Sequence, residues 1–151
     1  IYVSGTHTVR FENAGGSTYI DIDAIQILNG TAPGVGTYDD NDANWVYSGS
    51  WATLGTSGPY ASTMHYTSTT GDNASFTFSG TQFIFTYTQN TNRGSIGVYV
   101  DNVLATTINA NGAIQWQKTY TSPVYSSGTH TVRFQNAGGS TYIDVDAIQI
   151  Q

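Results

Sequence analysis

The chain has 151 residues, a length that suits one domain or one domain with a fragment beside it. Charged side chains make up only 9% and the formal net charge is −6, so no basic surface is present to release counterions from a nucleic acid. There is no cysteine and no apolar run of the roughly 20 residues that a membrane span needs, which excludes disulfides, thiolate metal sites and a spanning helix.

In place of charge the chain carries 23 Thr, 14 Ser, 11 Asn and 17 Gly. A neutral, hydroxyl-rich surface has little charge repulsion to keep copies apart, and it points to self-association or a glycan coat. The composition, poor in lysine, suggests an extracellular or cell-surface protein, and a bacterial one. The chain starts at Ile1 and shows no signal peptide, so it is expected to be a processed or excerpted piece of something longer.

In chain order, the first segment is also the last. Residues 1–28 align without gaps with 124–151, and only five positions differ: Ile1/Val124, Val3/Ser126, Glu12/Gln135, Ile22/Val145 and Leu28/Gln151. Duplication of a unit of about 123 residues explains this. Residues 1–28 are therefore expected to be the closing strands of a preceding module. Residues 29–37, NGTAPGVGT, read as a linker, and 38–151 as one complete module. Val9, Phe11, Ile20, Ile22, Ile25 and Ile27 give the first segment two apolar strand faces. A lone hairpin is marginal in water, so these faces are expected to pack on neighbouring copies of the same module.

The module opens with Tyr38-Asp-Asp-Asn-Asp-Ala43. Asp39, Asp40 and Asp42 offer hard oxygen ligands suited to Ca²⁺, although the EF-hand glycine and terminal Glu are missing. A solvated acidic turn is the alternative. Trp45, Tyr47 and Trp51 share one parity in WVYSGSW. Trp45 and Tyr47 are expected to fill core; Trp51, Tyr60 and Trp116 are the candidates for a ligand platform or intermodule contact.

Period two continues through Phe76 and Phe78, then Phe83, Phe85 and Tyr87, then Ile96, Val98 and Val100. Asp101-Asn102 suits a two-residue hairpin turn, because both tolerate positive φ. His130 shares parity with Val132 and Phe134 and is expected to be a satisfied rim histidine that holds a loop. Asn136-Ala-Gly-Gly-Ser140 reads as a longer hairpin loop. In Tyr142–Ile150 the apolar phase slips by one around Asp146-Ala147, which predicts a β-bulge. Asp144 and Asp146 share a face there, and a partly buried carboxylate needs a partner. If first and last strands are neighbours, both acids come near the opening cluster, and a cation is a candidate partner. The pattern predicts an all-β jelly-roll sandwich of eight or nine short strands per module.

The succession YDDND, WVYSGSW, FTFSGTQFIFTY, RGSIGVYVDN, SSGTHTVRF and YIDVDAIQI resembles the galactose-binding-like jelly rolls, particularly bacterial carbohydrate-binding modules. The resemblance covers nearly all of 38–151 and departs at Asn102, where glycine is usual. It implies sugar binding, and a structural Ca²⁺ with Asp40 and Asp146 as the foremost ligands.

Asn29-Gly-Thr31 and Asn73-Ala-Ser75 are N-glycosylation acceptor patterns. Catalysis is not expected. Asp144 and Asp146 on one strand face cannot flank a glycosidic bond, and no G-x-S-x-G places a nucleophile. Two functions compete. The near-perfect repeat favours a structural or adhesive repeat module of an extracellular fibre, stalk or surface protein. The family resemblance favours a carbohydrate-binding module of a secreted or cell-surface protein, with glycans as partners.

Overall fold

The structure, a computed structural model, describes Phe11, residues 31–138 and residues 141–151. The chain divides into two compact units, 1–30 and 31–151. The closing strands expected over 1–28 lie outside the described residues, Phe11 apart.

The second unit runs through β1 (Gly36–Asp39), β2 (Trp45–Ser48), β3 (Ala52–Gly55), a 3-10 turn at Tyr60–Ser62, and β4 (Thr63–Thr67). It continues through β5 (Asn73–Gly80), β6 (Phe83–Gln89), β7 (Ser95–Val100), β8 (Val103–Asn109) and β9 (Gln115–Thr121). It ends in β10 (Gly128–Asn136), β11 (Ile143–Val145) and β12 (Ala147–Ile150). These twelve strands exceed the eight or nine expected, because β1, β2, β3 and β12 have four residues and β11 has three. Runs that short carry too few alternations to be read reliably as separate strands.

The strands make a β-sandwich of the jelly-roll kind. One sheet has the order β2-β5-β10-β7-β8, another β1-β12-β6-β9, and a smaller one β11-β4-β3. Alternation decides the inner faces. In β10, His130, Val132, Phe134 and Asn136 are buried while Arg133 and Gln135 are half-exposed. Phe134 meets Phe85 of β6 across the sandwich, rings 3.7 Å apart and nearly parallel. Phe76, Phe78, Phe83, Ile96, Val98, Ile148 and Ile150 complete a core with no exposed surface. Each such side chain contributes roughly 1.5–3 kcal/mol by leaving water.

Asp101 and Asn102 do form the β7–β8 turn, with φ of 49° and 68°. Three other readings change. The strand takes up Gly36 and Thr37, opposite Ile150 and Gln149, and Ser79 N–H donates to the Pro33 carbonyl. Composition alone assigns those residues to the linker, because the partner strand that holds them lies at the far end of the sequence. β10 and β11 lie in different sheets, so they are not the two strands of the hairpin expected around 136–140. The phase slip at Asp146 is likewise a change of sheet. β11 pairs with β4, and β12 with β1 and β6. Both halves turn their side chains inward, so Asp144 and Asp146 are buried along with the apolar residues beside them.

Candidate functional site

The sheet change gathers acids in the interior. Because β1 and β12 are neighbours, Asp40 N–H donates to the Asp146 carbonyl at 2.9 Å. Asp40 is fully buried, and both its carboxyl oxygens are engaged. Oδ1 accepts from the Thr63 hydroxyl at 2.7 Å, and Oδ2 lies 2.6 Å from His65 Nδ1. The His65 ring stacks on Tyr47 at 4.4 Å, and the Tyr47 hydroxyl donates back to the Asp40 carbonyl. Burial raises the Asp40 pKa, with the Thr63 and His65 hydrogen bonds opposing.

Asp146 has no exposed surface either. Its Oδ1 accepts from Tyr60 N–H at 2.8 Å, while Oδ2 is buried without a partner. Burial chiefly, with the charges of Asp144, Asp40 and Asp39 added, pushes its pKa up to about 7. Asp39 Oδ1 is a second buried oxygen without a partner. Asp39 and Asp146 thus each keep one buried oxygen, the kind of hard donor that Ca²⁺ takes. Asp40 does not offer a free oxygen. Among the described residues no group of three metal-ligating side chains converges, so further ligands would be carbonyls or water.

Two other candidates have partners within the protein. Asp42 Oδ1 accepts from the backbone and side-chain N–H groups of Asn44, which makes it a turn residue. Asp144 is an ion-pair partner: Arg93 Nε donates to its Oδ2 at 2.5 Å and Thr88 N–H to its Oδ1 at 2.7 Å. Burial raises the Asp144 pKa, and the Arg93 charge is the chief opposing influence.

Arg93 leads from the acids to the surface. It lines a cleft of about 230 Å³ together with Asn92, Leu54, Met64, Tyr66 and Tyr142. Tyr66 and Tyr142 meet edge to face at 5.7 Å, and the guanidinium lies 5.9 Å from the Tyr142 ring centre. The β6–β7 loop is tied to the Tyr142 backbone on both sides: Tyr142 N–H donates to the Asn92 carbonyl, and Gly94 N–H to the Tyr142 carbonyl. Gly94 is required by this close approach, because a Cβ there would stand 1.9 Å from Thr141 Oγ1. Arg93 Nη1 donates to Asn92 Oδ1 at 2.8 Å, so arginine and asparagine hold each other. An aromatic pair beside oriented polar donors is the usual make-up of a small-molecule cleft.

The sequence-based platform candidates do not line this cleft. Trp51 is half-buried against Tyr47, rings 5.1 Å apart, and its indole donates to the Ser48 carbonyl. Trp116 lies on Gly58, where a Cβ would come within 2.7 Å of the indole. Tyr60 is 40% exposed, but its backbone is committed to Asp146. Asn73 starts β5 half-buried, and Asn29 lies outside the described residues. Arg93, Asn92 and Tyr142 are missed by sequence reasoning. One signal was available: an interior carboxylate at Asp144 needs a cation, and the chain has only four Lys and Arg.

No family model matches the chain. Over 96 residues it is 35% identical to the A type blood N-acetyl-alpha-D-galactosamine deacetylase of Flavonifractor plautii, which is 63% of this chain and 12% of that protein. Over 82 residues it is 34% identical to the A type blood alpha-D-galactosamine galactosaminidase of the same organism, 54% of this chain and 8% of that one. The chain therefore spans about a tenth of the curated relatives it matches. Among solved structures, a family 35 carbohydrate binding module from an environmental isolate superposes with a TM-score of 0.62 at 12% identity, over 77% of this chain and 92% of that module. The β-sandwich thus shares the fold of that module.

Proposed function

We propose that residues 31–151 form a non-catalytic carbohydrate-binding module of a secreted or cell-surface protein, with the Tyr66–Tyr142–Arg93 cleft as its sugar site. The observation that carries this is the cleft itself: two tyrosine rings beside an arginine and an asparagine that are already oriented. The rings offer stacking surface for a sugar face, and the donors meet its hydroxyls. The relatives are named for N-acetylgalactosamine and galactosamine, so galactose-configured sugars are the first to test. Calorimetric titration with galactose, N-acetylgalactosamine, galactosamine and glucose should show binding, weakened about tenfold or more by Tyr142→Ala, as for loss of an aromatic contact. No heat with any of them, or an unchanged affinity in the variant, would overturn the reading.

A structural Ca²⁺ is proposed beside it, held by Asp39 and Asp146, because each has a buried oxygen without a partner. A second reading, a repeat module that associates with its own copies, rests on the 1–28 and 124–151 identity.

A further inference from the structure

We propose that the cleft takes a single neutral sugar ring and rejects anionic sugars, because the charge of its one cation is already balanced by Asp144. The proposal rests on reading the cleft as a sugar site. Size gives the first limit: the cleft, about 230 Å³, is smaller than the roughly 300–1,000 Å³ of drug-sized ligand sites, which leaves room inside it for about one ring.

Charge gives the second. Of the cleft residues only Arg93 is cationic, and it is 7% exposed. Its Nε is held by Asp144 and its Nη1 by Asn92. Asp144 has no freedom to leave, since it is buried and its other oxygen accepts from Thr88 N–H. The remaining cations of the described residues are engaged elsewhere: Lys118 with Gln89, and Arg133 over the Tyr99 ring at 3.9 Å. A carboxylate entering the cleft would meet no uncompensated positive charge, and desolvating it would be uncompensated as well.

A neutral hydroxyl meets different conditions. Arg93 Nη2 and Asn92 Nδ2 carry no hydrogen bond among the described residues, and both belong to side chains fixed by their other atoms. They are donors, so they suit hydroxyl oxygens. Asp144 is buried behind Arg93 with a donor on each oxygen, so it is not open to an ammonium group, which leaves an amino sugar no special advantage. Asp144 is therefore a positioning residue: it aims the guanidinium and cancels its charge.

The test uses the full chain and two probes, methyl galactoside and methyl galacturonide. The wild-type chain should bind the neutral probe about tenfold or more tighter, the scale expected for an unpaired buried charge. Asp144→Asn keeps the shape and uncovers the Arg93 charge, so it should narrow or invert that ratio. Should Asp144→Asn fail to fold, the wild-type affinity for the galacturonide should show no loss as salt rises, whereas an unbalanced cation would attract it and be screened. Tighter binding of the galacturonide by the wild type, an unchanged ratio in a folded Asp144→Asn, or a galacturonide affinity that falls with salt while exceeding that of the galactoside would overturn the proposal. Binding of neither probe, unaffected by Tyr142→Ala, would instead remove the sugar-site reading itself.

Discussion

His130 shows how one residue joins two loops. Its Nδ1 lies 2.7 Å from Asp101 Oδ2, and its Nε2 lies 2.8 Å from the Ser126 carbonyl, so both ring nitrogens face acceptors. Phe78 and Tyr125 flank the ring. The Asp101 hydrogen bond first, then the Ser126 carbonyl, raise the His130 pKa above 6.5. Burial works against Asp101, but its bonds to His130 and to Thr131 N–H hold its pKa below 3.8. The signs follow from linkage. The histidine contribution is complete below pH 6.5 and is lost as pH rises through the raised value. The aspartate contribution is complete above pH 3.8 and is lost as pH falls through the lowered one. As pH rises above 6.5 through the raised His130 value, the protein should therefore lose a stabilising contribution of at most about 1 kcal/mol, small because Asp101 is 51% exposed. His130→Gln should flatten that limb of the profile in a pH series of thermal melts. At Gly94 the constraint is steric. Gly94→Ala should push Thr141 and Tyr142 away, costing about 1–3 kcal/mol and weakening sugar binding more than its fall in melting temperature suggests. Calorimetry and a melt on the same sample separate the two.

At the scale of elements, stability concentrates where β6 and β10 face each other. Phe134 lies 3.7 Å from Phe85 and 6.0 Å from Phe83, and it also touches Trp45 at 6.1 Å. Phe134→Ala removes that centre and should cost about 3–5 kcal/mol in denaturant unfolding. Val46 belongs to the edge strand β2 and is 60% exposed, so Val46→Ala should stay within about 0.5 kcal/mol. Equal losses at the two positions would mean that the sandwich interior is not where the aromatic pairs place it. The passage from β11 to β12 is the other decisive element. One residue, Asp146, takes the chain from the small sheet to the four-stranded one, and Asp146 N–H donates to the Thr86 carbonyl at 3.1 Å as it does so.

For the whole molecule, the repeated segment poses a packing problem. Val132, Phe134, Ile143, Ile148 and Ile150 have no exposed surface in 31–151. Their counterparts in the repeat are Val9, Phe11, Ile20, Ile25 and Ile27. Phe11 is 54% exposed where Phe134 is 0%. The chain thus holds a second set of core-forming side chains, and the places for them in 31–151 are filled. Sedimentation should show 1–151 associating and a 31–151 fragment monomeric, with Phe11→Asp reducing the association. Monomeric 1–151 at every concentration would remove the array reading. The proposed cation also acts on the whole unit, because a ligand that binds only the folded state stabilises it by mass action. Chelator should lower the melting temperature of the chain, and Asp146→Asn should abolish that response.

Legible in the residues alone were the strands long enough to show period two, the Asp101-Asn102 turn and the rim role of His130, while the pairing of first and last strands that joins Asp40 to Asp146 entered only as a condition. These depend on local alternation, on the φ preferences of single residues, or on a simple chain-end argument. Which acids keep a free oxygen follows from packing between distant segments. Asp40 loses its two to Thr63 and His65, and Asp144 takes Arg93, a residue 51 positions away. The cleft was beyond reach for the same reason. Tyr66, Arg93 and Tyr142 belong to β4, the β6–β7 loop and the approach to β11, and the pairing of β11 with β4 and the Tyr142 backbone bonds to the loop bring them together. Periodicity reports which face of a strand is apolar; it carries no record of which distant strand that face will meet.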